Sequence, residues 1–93
     1  MAGSDLDRQR HRSTLRHFGV PEHLHQGIID YVVDGVPTGD FLRACFANDF
    51  VDAVCRTVDM SFNDLLMIAK WIYNEAPSRS WGSPGVVKTW RGE

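Results

Sequence analysis

Apolar side chains recur along the chain at helical spacing, and no run alternates over the length of a strand. Leu24, Ile28, Tyr31 and Val32 stand at i, i+4, i+7 and i+8, one face of a helix. Pro21 suits its first position, where a missing N–H costs nothing, and Gly35 suits its end because it accepts a positive φ. After the turn "GVPTG", Thr38 is positioned to cap a second helix with Phe41, Leu42, Cys45 and Phe46 inward. Asn48 tolerates a left-handed break, and Asp49 then caps a third helix with Phe50, Val51, Val54, Cys55 and Val58 on its inner face. "SFND" opens a fourth, in which Ser61 and Asp64 resemble a capping box. Its expected face is Phe62, Leu65, Leu66, Ala69, Ile72 and Tyr73, and Pro77 bars continuation.

The two ends read differently. "MAGSDLDRQRHRSTLRH" offers only Leu6 and Leu15 as large aliphatics after Met1; Ser4 or Asp5 could cap a helix there, but with so little to bury residues 1–17 are expected to be a basic arm, frayed or dependent on a partner for order. "YNEAPSRSWGSPGVVKTW", residues 73–90, places two of the three tryptophans among Ser, Gly and Pro. "SP" at 83–84 is a cap followed by the residue preferred at the first helical position, which predicts a short last helix to about Trp90. Trp81 and Trp90 then serve either to fasten this tail to a core or to bind something. The fold class is therefore all-α, a small bundle of four to five short helices, with residues 18–93 as one domain. Its expected core is Leu24, Ile28, Tyr31, Phe41, Leu42, Phe46, Val54, Leu65, Ile72 and Tyr73.

Composition narrows the class. A chain of 93 residues, 43% apolar and 24% charged, has room for one modest core, and a core of that size favours a homo-oligomer. No apolar run nears the roughly 20 residues that cross a bilayer, and residues 1–20 lack a secretory hydrophobic segment, which points to the cytoplasm. Cys45 and Cys55 sit in apolar patterns without metal spacing and read as buried thiols. The net charge of −2 conceals an acidic body: residues 18–76 carry three basic side chains against nine acidic ones, while each end carries a net of +2. Such a body argues against direct nucleic-acid binding.

Tests for chemistry are negative. His23 and His25 point about 200° apart on a helix and cannot chelate together, His11 and His17 lie on the polar arm, and no HEXXH or paired-Cys spacing occurs, so surface histidines and no metal are expected. Asp30, Asp34, Asp49, Asp52, Asp59 and Asp64 are spread as solvated faces and caps, and no nucleophile elbow or phosphate loop appears. No catalytic residue, cofactor or enzyme activity is expected. Two loops keep a binding interest. "DGVPTGD" leads backbone N–H groups into a helix start, although Asp34 and Asp40 oppose a bare phosphate. "SRSWGSPG" sets Arg79 and the Trp81 ring beside another helix start, a combination suited to a nucleotide-like small molecule.

The same loops carry a resemblance. Gly35, Val36, Pro37, Gly39, Phe41 and Leu42, then Asn48 and Asp49, then Tyr73, Asn74 and Pro77, then Trp81, Gly82, Ser83 and Pro84 resemble a family of small proteins from tailed bacteriophages and prophages. The likeness spans about residues 21–90 and leaves out the arm. Asp40 and Gly85 depart from the Ser and Glu commonest there, which leaves the polar contacts at those places open. The family carries no nameable activity. The resemblance implies a life in the host bacterial cytoplasm and a non-catalytic accessory role, binding a host protein to inhibit or modulate it, anti-CRISPR-like counter-defence included. The alternative is an oligomeric sponge for a nucleotide-type immune signal. The candidate binding residues are Arg79, Trp81, Ser83, Thr38, Asp40, Asn48 and Asn74.

Overall fold

The computed structural model describes residues 2–56 and 61–93, and among these every regular element is helical. Helix α1 runs Ala2–Phe18, and a 3₁₀ turn at Glu22–Leu24 leads into α2, His25–Asp34. Helices α3 (Asp40–Phe46), α4 (Phe50–Arg56), α5 (Phe62–Glu75) and α6 (Pro84–Thr89) follow. The chain is a small all-α bundle in which α1 packs against α2 and α5, and α3 packs against α4, α5 and α6.

Local chemistry explains most of the boundaries. Ser61 Oγ accepts the Asp64 N–H at 3.1 Å, and Ser83 Oγ accepts the Val86 N–H at 3.3 Å with Pro84 at the first helical position. Asp49 Oδ1 accepts the Asp52 N–H at 3.1 Å, which starts α4. Gly35 closes α2 at φ 71°, and Asn48 takes φ 61° between α3 and α4. Two expectations are corrected. Pro21 precedes a 3₁₀ turn and not the α-helix itself. Gly39 stands at the start of α3 with no side-chain cap, and Thr38 Oγ1 is buried without a hydrogen-bond partner among the described residues.

The basic segment is the main departure. Among its described residues it forms a 17-residue helix, and the face that docks is mostly polar. Arg8 pairs with Asp30 at 2.9 Å and also with Asp34, two carboxylates one turn apart on α2. His11 and Leu15 are buried. The Trp71 indole N–H donates to Thr14 Oγ1 at 2.9 Å, and the Thr14 hydroxyl in turn donates to the His11 carbonyl at 3.0 Å. His11 Nε2 meets Glu93 Oε1 at 2.6 Å and its ring stands edge-on to Trp71. Hydrogen bonds and ion pairs leave no trace in an apolar count, so the pattern alone shows little for this helix to bury.

The core differs from expectation by a rotation of α5. Ile68, Trp71 and Ile72 are its buried residues, whereas Tyr73, expected inside, is 74% exposed. Val54, also expected inside, is exposed, while Ile28, Tyr31, Leu42 and Phe46 are buried, and Leu24, Phe41 and Leu65 are half-buried against the core. Only Ala53 is buried on α4, so Val51 and Cys55 face outward; Val58 and Asp59 lie outside the described residues. Both thiols are free; Cys45 is buried, which pushes it up to about 12, and Cys55 is exposed, against the expectation of two buried thiols. Two histidines likewise leave the expected surface: His11 is held as above, and buried His25 donates from Nε2 to the Val20 carbonyl at 2.7 Å.

Two variants measure how firmly α1 is docked. Thr14→Val orphans a buried indole N–H and is expected to cost about 1–3 kcal/mol in urea unfolding; a frayed segment would show no change. Arg8 holds the Asp30 carboxyl below its usual range, chiefly through their hydrogen bond. That contribution is present above the unfolded carboxylate pKa of about 4 and is lost as the pH falls through the lower folded value. Arg8→Ala should therefore cost about 0.5–1 kcal/mol at neutral pH, with the deficit vanishing in acid once the Asp30 carboxyl is protonated in the folded as well as the unfolded chain.

Candidate functional site

The site is built outward from Tyr31. Its ring lies 4.5 Å from that of Phe46, and its hydroxyl donates to the Ser80 carbonyl at 2.6 Å. Its own carbonyl accepts the Trp90 indole N–H at 2.9 Å. The Gly82 N–H donates to the Phe46 carbonyl at 2.8 Å. The loop after α5 and the tail after α6 are thus both fastened to the α2–α3 pair. Beyond Trp90 the chain crosses the end of α2 so closely that a Cβ on Gly35 would meet the Arg91 backbone at 2.4 Å, and one on Gly92 the Val33 carbonyl at 2.4 Å. The Glu93 N–H closes the crossing with bonds of 3.1 Å to the Val32 and Val33 carbonyls.

This crossing makes the tail a wall. Opposite stand α3 and α4, and the space between is a half-open cleft of about 580 Å³. Its apolar surface comes from Tyr31, Ala44, Ala47, Val87 and Trp90, and its charged groups are Asp40, Asp49 and Asp52 against Arg43, Arg56, Lys88 and Arg91. The carboxylates are all engaged. Asp40 meets Arg43 at 3.5 Å and Arg56 at 3.4 Å, Asp52 meets Arg56 at 3.0 Å, and Asp49 caps α4. Lys88 and Arg91 have no ion pair among the described residues; the Arg91 guanidinium donates only to the Lys88 and Trp90 carbonyls. Burial pushes the Tyr31 phenol up to about 12, so it remains a protonated donor below the cleft.

Of the residues expected to bind, the cleft takes in Asp40. Ser83 is the α6 cap, and Thr38 is half-buried. Asn48 is exposed at its positive-φ turn, and Asn74 is exposed with its amide donating to the Lys70 carbonyl at 2.8 Å. Trp81 packs half-buried against the core, with its ring edge-on to Tyr73 at 6.2 Å. Arg79 is exposed and without an ion pair among the described residues. The Gly82–Phe46 bond brings the loop of Trp81 and Ser83 to the end of α3, just before Asn48. The residues overlooked are Arg43, Arg56, Lys88, Trp90 and Arg91; the run "KTWR" at 88–91, a tryptophan between two cations, was the available signal for the last three.

A second surface is apolar. The side of α5 turned away from the core carries Phe62 at 81% exposure, Leu66 at 49% and Tyr73 at 74%. No helix among the described residues is long and apolar enough to cross a membrane, and none of their His, Cys, Asp or Glu groups is arranged to hold a metal ion. Comparison with protein-family models, curated proteins and solved structures finds no match.

The tail crossing is testable on its own. Gly35→Ala places a Cβ at positive φ and against the Arg91 backbone, and is expected to cost at least about 2 kcal/mol. The Trp90 indole N–H should then gain hydrogen-exchange rate ahead of that of Trp71.

Proposed function

We propose that this is a non-catalytic accessory protein of phage or prophage origin that binds a protein of its bacterial host in the cytoplasm and inhibits or modulates it, with host defence among its targets. The outer face of α5 is the binding surface. The observation that carries this reading is that α5 is apolar on two sides. Its inner side, Ile68, Trp71 and Ile72, fills the core. Its outer side, Phe62, Leu66, Ala69 and Tyr73 at i, i+4, i+7 and i+11, is a second helical stripe. A helix apolar on both sides is normally covered on both, and large exposed apolar groups gathered on one element mark an interaction site.

The composition of the stripe supports a protein partner. Aromatic anchors dominate the energetics of protein interfaces, and Phe62 and Tyr73 stand at its two ends. Ser61 and Asp64 cap the helix, so the anchors sit on a preformed element. The acidic excess over residues 18–76 suits a partner with a basic rim around an apolar groove.

Phe62→Glu and Tyr73→Glu should each leave the melting temperature nearly unchanged, because neither side chain fills the core. Each should weaken capture of the partner from host lysate by about 30-fold or more, equivalent to about 2 kcal/mol. Light scattering on the isolated chain separates the two occupants this face could take. A wild-type dimer that dissociates in both variants assigns the stripe to self-association, whereas unchanged capture by both variants rejects the surface altogether.

A further inference from the structure

We propose that the cleft between α3–α4 and the α6 tail is a binding site for a planar organic anion, a flat apolar body bearing a carboxylate or phosphate, with Lys88 and Arg91 receiving the charge. The inference is independent of the protein-binding surface on α5.

Three observations lead to it. The cleft measures about 580 Å³, within the range of roughly 300–1,000 Å³ usual for small-molecule sites. Its lining is mostly apolar, with Tyr31, Ala44, Ala47, Val87 and Trp90 beside the charged groups, so a hydrophobic group has apolar surface to rest on. Its charge is lopsided: the three acidic groups are already matched by Arg43, Arg56 and the Asp52 N–H, all on the α3–α4 side. The opposite wall offers two cations that pair with no carboxylate among the described residues, on either side of Trp90 in sequence. In a chain whose body is strongly acidic, this places a local positive excess over an aromatic surface. An anion without an apolar body would waste the inner surface, and a neutral aromatic would leave the cations unanswered.

The wall is preorganised. Trp90 is oriented by its bond to the Tyr31 carbonyl, and the chain beyond it is held by the close passage past Gly35. Little ordering is left to be done when a ligand enters. The same contacts keep Lys88 and Arg91 on one side of the cleft. The carboxylates across the cleft set a limit on its contents, because a ligand with two widely separated negative groups would meet Asp40 or Asp52.

The full-length chain is titrated by calorimetry with four probes: naphthoate, adenosine monophosphate, adenosine and inorganic phosphate. Either or both of the planar anions should bind saturably, at least tenfold tighter than adenosine and than phosphate; which one wins separates a carboxylate from a phosphate ligand. Lys88→Met and Arg91→Met should each weaken that binding by fivefold or more, and Arg79→Met by less than twofold. In proton–nitrogen correlation spectra the Trp90 indole resonance should shift, while those of Trp71 and Trp81 stay in place. Absence of saturable binding by both planar anions overturns the proposal. So do affinity unchanged in Lys88→Met with the protein folded, phosphate binding as tightly as the planar anions, or a shift at Trp81 accompanied by a loss in Arg79→Met, which would move the site to the 79–84 loop.

Discussion

Tyr31 is the residue through which the separate helices become one structure. Its ring packs on Phe46, its hydroxyl holds the Ser80 carbonyl, and its carbonyl receives the Trp90 indole. Each contact reaches a different part of the chain: α3, the loop after α5, and the tail after α6. Because these contacts span 15, 49 and 59 positions in sequence, they restrict the chain far more than a contact within one helix does. The tryptophans of the Ser-Gly-Pro-rich tail follow from this. Trp81 and Trp90 both pack against the core, and Trp90 at the same time faces the cleft. Fastening and lining are two uses of the same ring.

The two candidate surfaces arise from how α5 and α6 are placed. Helix α5 has more apolar residues than one contact can cover, and the bundle uses the side that carries Trp71. Trp71 wins because its indole N–H finds Thr14 and its ring finds His11, so a large side chain is buried with its polar atom satisfied. The stripe from Phe62 to Tyr73 is left outside. Helix α6 is too short to build a core of its own; its position is set by the Ser83 cap before it and the crossing of Gly35 after it. That places Lys88 and Arg91 opposite α3 and α4.

Helix α1 shows how docking proceeds with little apolar surface. Arg8 reaches two aspartates of α2, and Thr14 and His11 meet Trp71 and Glu93. The acidic end of α2 and the basic helix therefore neutralise each other within the molecule. The charge asymmetry of the sequence is in part an internal contact, and its remainder lies on the surface.

The sequence by itself determined most of the helices and several of their ends. Caps at Ser61, Ser83 and Asp49, the left-handed positions Gly35 and Asn48, and the stop before Pro77 are local chemistry, set by neighbours within four residues. It also determined much of the core of α2 and α3, where only one face is apolar. Tertiary structure decided the rest. On α5 the pattern allowed two inward faces, and contacts with α1 selected between them. On α1 the pattern showed no face, since ion pairs and hydrogen bonds between distant residues have no period along a chain. The cleft was hidden for the same reason: Lys88 comes opposite Asp40 and Arg56 only when the tail crosses α2, and that crossing depends on two glycines whose missing side chains matter only in the folded state.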